Sequence, residues 1–128
     1  MRKTEATDRK ETPVFSGVLK YFPDALAEVA RVSKAGNDQH NPGEPLHWAK
    51  EKSKDEDDAL TRHLLDLAAG EEYDSDGQRH RAKIAWRALA GLQREIDAER
   101  AASQLKWERP TEAQVREYIE KLNEGAYE

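Results

Sequence analysis

Two groups of charged residues recur at helical spacing. Asp55, Asp58 and Arg62 fall on one stripe of a helix, with His63 at its edge, and His80, Lys83 and Arg87 form a second, basic stripe. Carboxylates on helices can hold a hard divalent cation such as Mg2+, which prefers oxygen ligands. A row of His, Lys and Arg can hold phosphate oxygens. Acid on one side and base on the other suit a metal–triphosphate, with the ion bridging phosphate oxygens and lowering the pKa of a bound water. Each stripe alone is also what a solvated helix face looks like. Asp58 and Arg62 form an i,i+4 pair that supports a helix by itself, and acidic residues in a first turn offset the helix dipole. The four histidines, at 40, 47, 63 and 80, show no His-x-x-x-His spacing, so the spacing does not argue for zinc.

Four helices are needed to position these groups. The first starts at Pro23 with Asp24 behind it, carries Phe22, Leu26, Val29, Ala30 and Ser33 on one face, and is expected to end at Gly36-Asn37. Glu28 borders its apolar face. Residues 37–54 read as an irregular loop with two prolines, two histidines and Trp48, and loops of that length are often functional. Ser53 with Glu56 has the spacing of a capping box. The second helix follows, with Leu60, Leu64, Leu67 and Ala68 as its apolar stripe and Gly70 as its stop. After the acidic turn Glu71–Gly77, a third helix is expected from about Gln78 to Arg100, burying Ala85, Ala88, Leu89, Leu92 and Ile96. A fourth opens at Pro110-Thr111, with Thr111 and Gln114 at capping-box spacing, buries Val115, Tyr118, Ile119 and Leu122, and closes at Gly125. The reading divides the chain into a polar, disordered tail (1–12), an all-α domain (13–102) and a C-terminal helical extension (103–128).

The 128 residues carry a net charge of −5, and 37% of them are charged. Leu, Ile, Val and Phe number 21, or 16% of the chain, below the roughly 20% at which disorder becomes a serious alternative. The low net charge favours a folded chain with a thin core, one that completes its apolar burial against copies of itself as a homodimer or homotetramer. No apolar run approaches the roughly 18 residues of a membrane span. The N-terminus lacks the apolar segment of a secretory signal. Cysteine is absent, which excludes disulfides and thiolate sites. A pI near 5.5 argues against a broad nucleic-acid surface. These features point to a cytoplasmic protein without nucleic-acid or membrane partners.

The run from Pro23 to Glu99 resembles the phage and bacterial dATP/dGTP diphosphohydrolase domain, a MazG-like and MazZ-like branch of the all-α nucleoside triphosphate pyrophosphatases. The matching pieces are Leu26-Ala27-Glu28-Val29-Ala30, then Gly36 through Trp48, then Asp58-Ala59-Leu60-Thr61-Arg62-His63-Leu64-Leu65, Asp74-Ser75-Asp76-Gly77, and His80 through Ala90. The resemblance implies an oligomeric, MazG-like helical bundle with a long loop between its first two core helices. It also implies hydrolysis of a purine (deoxy)nucleoside triphosphate to the monophosphate and pyrophosphate, with Mg2+ (or Mn2+) held by carboxylates of those helices. Glu28 matches the first glutamate of the superfamily's Glu-x-x-Glu, but Arg31 stands at the next motif position, and helix two offers Asp55-x-x-Asp58. One ligand therefore comes from elsewhere, such as Glu71, Asp74 or Asp76, or fewer ions bind.

The expected roles follow from the resemblance and the stripes together. Glu28, Asp55 and Asp58 bind metal, with Glu71 and Asp74 as secondary candidates. Glu28, Asp58 and His63 are the catalytic candidates. Arg62, Lys83 and Arg87 contact phosphate, and His63 and His80 bond phosphate or sugar. The loop with Asn37, Asn41 and Trp48 closes over the base, with Lys52 near the phosphates. The alternative is a non-enzymatic helical interaction or regulatory module of phage or bacterial origin.

Overall fold

The structure is a computed structural model and describes residues 6–50, 54–108 and 110–125. It is all-α, with no β-strand among the described residues. The elements are α1 (Ala6–Lys10), a π-helical turn (Phe15–Leu19), α2 (Pro23–His40), α3 (Glu56–Ala68), α4 (His80–Glu108) and α5 (Glu112–Gly125). The chain divides into two compact units, Met1–Gly91 and Leu92–Glu128, with the boundary within α4.

Pro at the first position opens α2, where its missing N–H costs nothing. The helix does not end at Gly36-Asn37 as the sequence suggests, but continues to His40. The reason lies in the tertiary contacts of Asn37. Its side chain is buried, its amide nitrogen donates to the Glu44 carbonyl (3.1 Å), and its Oδ1 accepts the His47 N–H (3.1 Å). An amide that would otherwise compete with the helix is occupied by the loop instead. Residues 41–50 are thereby folded back toward α2 and α4.

The end of α3 follows the sequence reading. Gly70 adopts φ +92°, the Glu71 N–H reaches the Asp66 carbonyl (3.0 Å), and the Gly70 N–H reaches the Leu67 carbonyl (3.0 Å). This is a Schellman stop, which satisfies carbonyls the helix leaves open. At the other end, Asp55 occupies the N-cap position without a side-chain capping bond, and Ser53, the expected cap, lies outside the described residues. Residues 6–10, expected in the disordered tail, form the single-turn α1. Helix α4 runs eight residues past the expected Arg100. In α5 the capping box forms as read, with the Thr111 N–H to Gln114 Oε1 (2.7 Å) and the Gln114 N–H to Thr111 Oγ1 (3.1 Å).

The apolar faces depart most from expectation. The fully buried apolar residues among those described are Ala59, Ala82 and Ala90, all alanine. Leu64 on α3, Leu89 and Leu92 on α4, and Val115, Tyr118, Ile119 and Leu122 on α5 were expected inside and are exposed, as are Phe22, Ala30, Ala68 and Ala88. In unit 1, α4 lies between α2 and α3: Trp86 Nε1 donates to Ser33 Oγ on one side, and His80 meets His63 on the other. Small residues at 59, 82 and 90 let the helices approach, and the polar stripe of α4, not its leucine stripe, faces inward.

Candidate active site

The site is built at the corner where the end of α3, the turn 71–79 and the start of α4 meet. The turn is held by a single antiparallel bridge between Tyr73 and Arg79. Within it the Asp74 N–H donates to the Gln78 carbonyl (2.8 Å) and the Gly77 N–H to the Asp74 carbonyl (3.0 Å). Gly77 takes φ +81°, a left-handed conformation that favours glycine at this position. Asp74 Oδ1 accepts the Ser75 N–H (2.7 Å) and Asp76 Oδ1 the Gln78 N–H (3.0 Å), the local side-chain bonds by which Asp stabilises turns. Both carboxylates are thereby aimed at α4.

Lys83 answers them. Its Nζ lies 2.7 Å from Asp74 Oδ2 and 2.8 Å from Asp76 Oδ2. The ammonium's hydrogen bond holds Asp74 down to about 2 and also lowers Asp76. Burial pulls Lys83 toward neutrality, but the bonds from the two aspartates outweigh it and raise its pKa. One turn earlier on α4, His80 is 1% exposed and the most deeply buried large side chain. Its Nδ1 lies 2.9 Å from Nδ1 of His63 on α3 and 3.7 Å from Asp66 Oδ2. Its Nε2 is buried without a protein hydrogen-bond partner among the described residues. Burial, reinforced by the charge of Lys83 and by His80, pushes His63 below its ordinary value, which favours the neutral imidazole.

Two groups of possible metal-ligating side chains converge here, His63–Asp74–His80 and Asp66–Glu71–His80, with the donor atoms of each within 4.8 Å of one another. The histidines are seventeen positions apart, so no local spacing marks the pair.

The expected carboxylate set lies differently. Glu28 pairs with Arg79, Oε2 to Nε at 3.0 Å. Asp55 pairs with Arg62, Oδ2 to Nη2 at 3.6 Å, where an Asp58–Arg62 pair was expected, and Asp58 is exposed. Glu28, Asp55 and Asp58 do not converge as one group among the described residues. The carboxylate that α3 sends inward is Glu56, 4% exposed and 4.0 Å from Arg87 Nη1. Glu56 and Asp66 were missed as site residues. The signal available was Ala59: a small residue at i+3 from Glu56 and i−4 from His63 marks the face that packs closely.

The loop residues have structural partners. Asn37 tethers the loop, and Asn41 is the C-cap of α2. Trp48 meets Trp86 edge-on, with ring centroids 5.6 Å apart. Lys50 lies over Trp48 at 5.0 Å and Arg87 over Trp86 at 5.4 Å, distances at which cation–π attraction operates. An aromatic pair flanked by cations therefore stands near the inward end of Arg87. Lys52 lies outside the described residues.

A protein-family model described as dATP/dGTP diphosphohydrolase, N-terminal, matches residues 2–104. The chain belongs to this family. The family is one of diphosphohydrolases by name, and the match contains the whole corner described above. No curated protein and no solved structure matches the chain. No described helix is long and apolar enough to cross a membrane.

Proposed function

We propose that the chain hydrolyses purine (deoxy)nucleoside triphosphates such as dGTP and dATP between the α and β phosphates. Water adds at the α phosphorus, the bridging bond breaks, and the products are the monophosphate and pyrophosphate. The observation that carries this reading is the inward turn of His80, Lys83 and Arg87. A merely solvated stripe would leave them in water. Removing cations from water is costly unless anions compensate; Asp74, Asp76 and Glu56 hold these cations in place, where an entering polyphosphate would meet them.

In this reading Lys83 and Arg87 bind phosphate oxygens, Arg62 reaches them from the exposed edge of α3, and the Trp48–Trp86 pair offers a face to the base. A neutral His63 can accept a proton from the attacking water. A divalent cation, when bound, neutralises phosphate charge and makes water a stronger nucleophile. Mg2+ held by Glu28, Asp55 and Asp58 finds little support, since Glu28 and Asp55 are engaged with arginines. The two groups that share His80 fit a divalent cation better, with Asp66, Glu71 and Asp74 supplying oxygens.

The deciding experiment is pyrophosphate release from dGTP and dATP with Mg2+ or Mn2+. Arg87→Met and His63→Gln are expected to lose at least about 100-fold in kcat/KM, the size of a lost charge-stabilising or acid–base contact. No release from the wild type with either ion would overturn the reading.

The exposed leucines of α3 and α4 and the all-alanine core also support assembly from several copies. A folded monomer at micromolar concentration by sedimentation would contradict that.

A further inference from the structure

Residues 13–22, just before α2, put six large apolar side chains into water. Val14, Phe15, Val18, Leu19, Tyr21 and Phe22 are 42–72% exposed, and Lys20 is the one charge in the segment. We propose that this segment is a pairing surface, on which a second copy of the chain docks through the same segment about a two-fold axis.

Three observations carry the assignment. First, the area suffices. Large apolar and aromatic residues present roughly 150–250 Å2 each when fully solvated, so these exposures leave on the order of 600 Å2 in water, as much as the largest apolar patch of an ordinary monomer. Two such patches face to face remove about 1,200 Å2 from water, where standard stable interfaces begin. The apolar face of α5 falls short by the same measure. Its large residues are 41–64% exposed; they amount to about 400 Å2, and a pair of such faces stays in the range of casual contacts. Second, the surface is pre-organised. The Val14 N–H donates to the Thr12 carbonyl (2.9 Å), the Lys20 N–H to the Phe15 carbonyl (2.9 Å) and the Phe22 N–H to the Val18 carbonyl (3.0 Å), so docking orders little backbone. Third, the charge selects the partner. An anionic lipid surface attracts clustered Lys and Arg, whereas Lys20 stands alone, its Nζ 6.0 Å from the Phe15 ring centroid, on a chain of net charge −5. A nearly uncharged apolar patch fits another of its own kind, and a two-fold contact supplies one from the same surface. Lys20 then keeps its ammonium at the rim while its stem covers apolar area.

The proposal rests on assembly from several copies and names the surface that carries it. It accounts for the thin core of unit 1, where the fully buried apolar residues among those described are alanines, because the large apolar groups before α2 find their cover in the partner. The segment runs directly into Pro23, the first residue of α2, so docking also anchors the helix whose Ser33 accepts the Trp86 N–H.

The test combines sedimentation of the full chain across the micromolar range with amide hydrogen exchange of the wild type over the same concentrations. Exchange of residues 14–22 should slow as the chains associate. Phe15→Ser and Tyr21→Ser should each raise the dissociation constant by about 10-fold or more, as expected for aromatic residues at the centre of an interface, and Leu122→Ser on α5 should leave it unchanged. The exchange is read on the wild type, so it holds even where a variant loses its helical circular dichroism. A wild type that stays monomeric would overturn both the surface and the assembly. Association that leaves the exchange of 14–22 unchanged, or that Leu89→Ser abolishes while Phe15→Ser and Tyr21→Ser do not, would overturn the surface alone. So would slowing of 14–22 only on vesicles of phosphatidylcholine and phosphatidylserine, which would assign the segment to a lipid surface.

Discussion

In sequence, the charged stripe of α3 and the charged stripe of α4 look alike: each is a set of ionic residues at helical spacing opposite leucines. In the folded chain they do opposite things. Asp55, Asp58 and Arg62 stay exposed, with Arg62 Nη2 3.6 Å from Asp55 Oδ2. His80, Lys83 and Arg87 turn inward, where they meet His63, Asp74, Asp76 and Glu56. Periodicity defines the faces of a helix, but which face packs depends on what its neighbours offer. Here α3 offers Ala59, His63 and Glu56, and the turn offers two aspartates aimed by their own backbone bonds. A buried polar face is stable only when its charges are answered; Leu89 and Leu92 on the other side of α4 are left exposed, while on α3 Leu64 is exposed and Leu60 and Leu67 are half-buried.

The contrast can be broken most forcefully at Lys83. Lys83→Met leaves Asp74 and Asp76 without their counter-charge, and urea unfolding should show a loss of about 2–3 kcal/mol, the cost of removing strong charged hydrogen bonds. The matching change on the other stripe, Asp58→Asn, should move stability by less than about 0.5 kcal/mol. Equal effects at the two positions would erase the distinction.

A second large effect is expected away from either stripe. Asn37→Ala removes both tethers of the loop and should cost about 1–3 kcal/mol, with a red shift of Trp48 fluorescence as the ring leaves Trp86.

Acid titration sharpens the contrast without mutation. In the metal-free protein, His63 has a lowered pKa, so the unfolded chain binds the extra proton and stability declines as pH falls below 6.5. Asp74 lies at about 2 against an ordinary 3.8, so its contribution, at most about 2 kcal/mol, is present above 3.8 and lost as pH falls through 2. Lys83→Met should shrink the second decline, leaving the part due to the Ser75 N–H bond, and Asp58→Asn should leave both in place. Denaturant midpoints across pH 2–8 provide the check.

The smallest of these effects is expected in the other unit. Thr111→Ala breaks the capping box of α5 and should cost about 1 kcal/mol of local helix stability, visible in amide exchange of residues 112–115 while pyrophosphate release stays unchanged.

Much of the local structure was legible in the sequence. Gly70 and the Thr111–Gln114 box needed only nearest neighbours to act, and both did. Gly36-Asn37 read as a helix end for sound local reasons, but loop groups seven and ten residues on occupied the asparagine and the helix continued. The site was half legible: the basic stripe and His63 were visible as candidates, whereas the pairing of His63 with His80 was not, because seventeen positions separate them.

What the sequence determined by itself is an all-α chain with few large apolar residues, its helix stops and caps, and two charged stripes. These follow from propensity, capping and a period of 3.6, all of which act within a few residues. Only the tertiary structure decided which stripe went inside and which carboxylates met the histidines. That choice depends on burial and charge compensation between groups far apart in the chain, which no local pattern records.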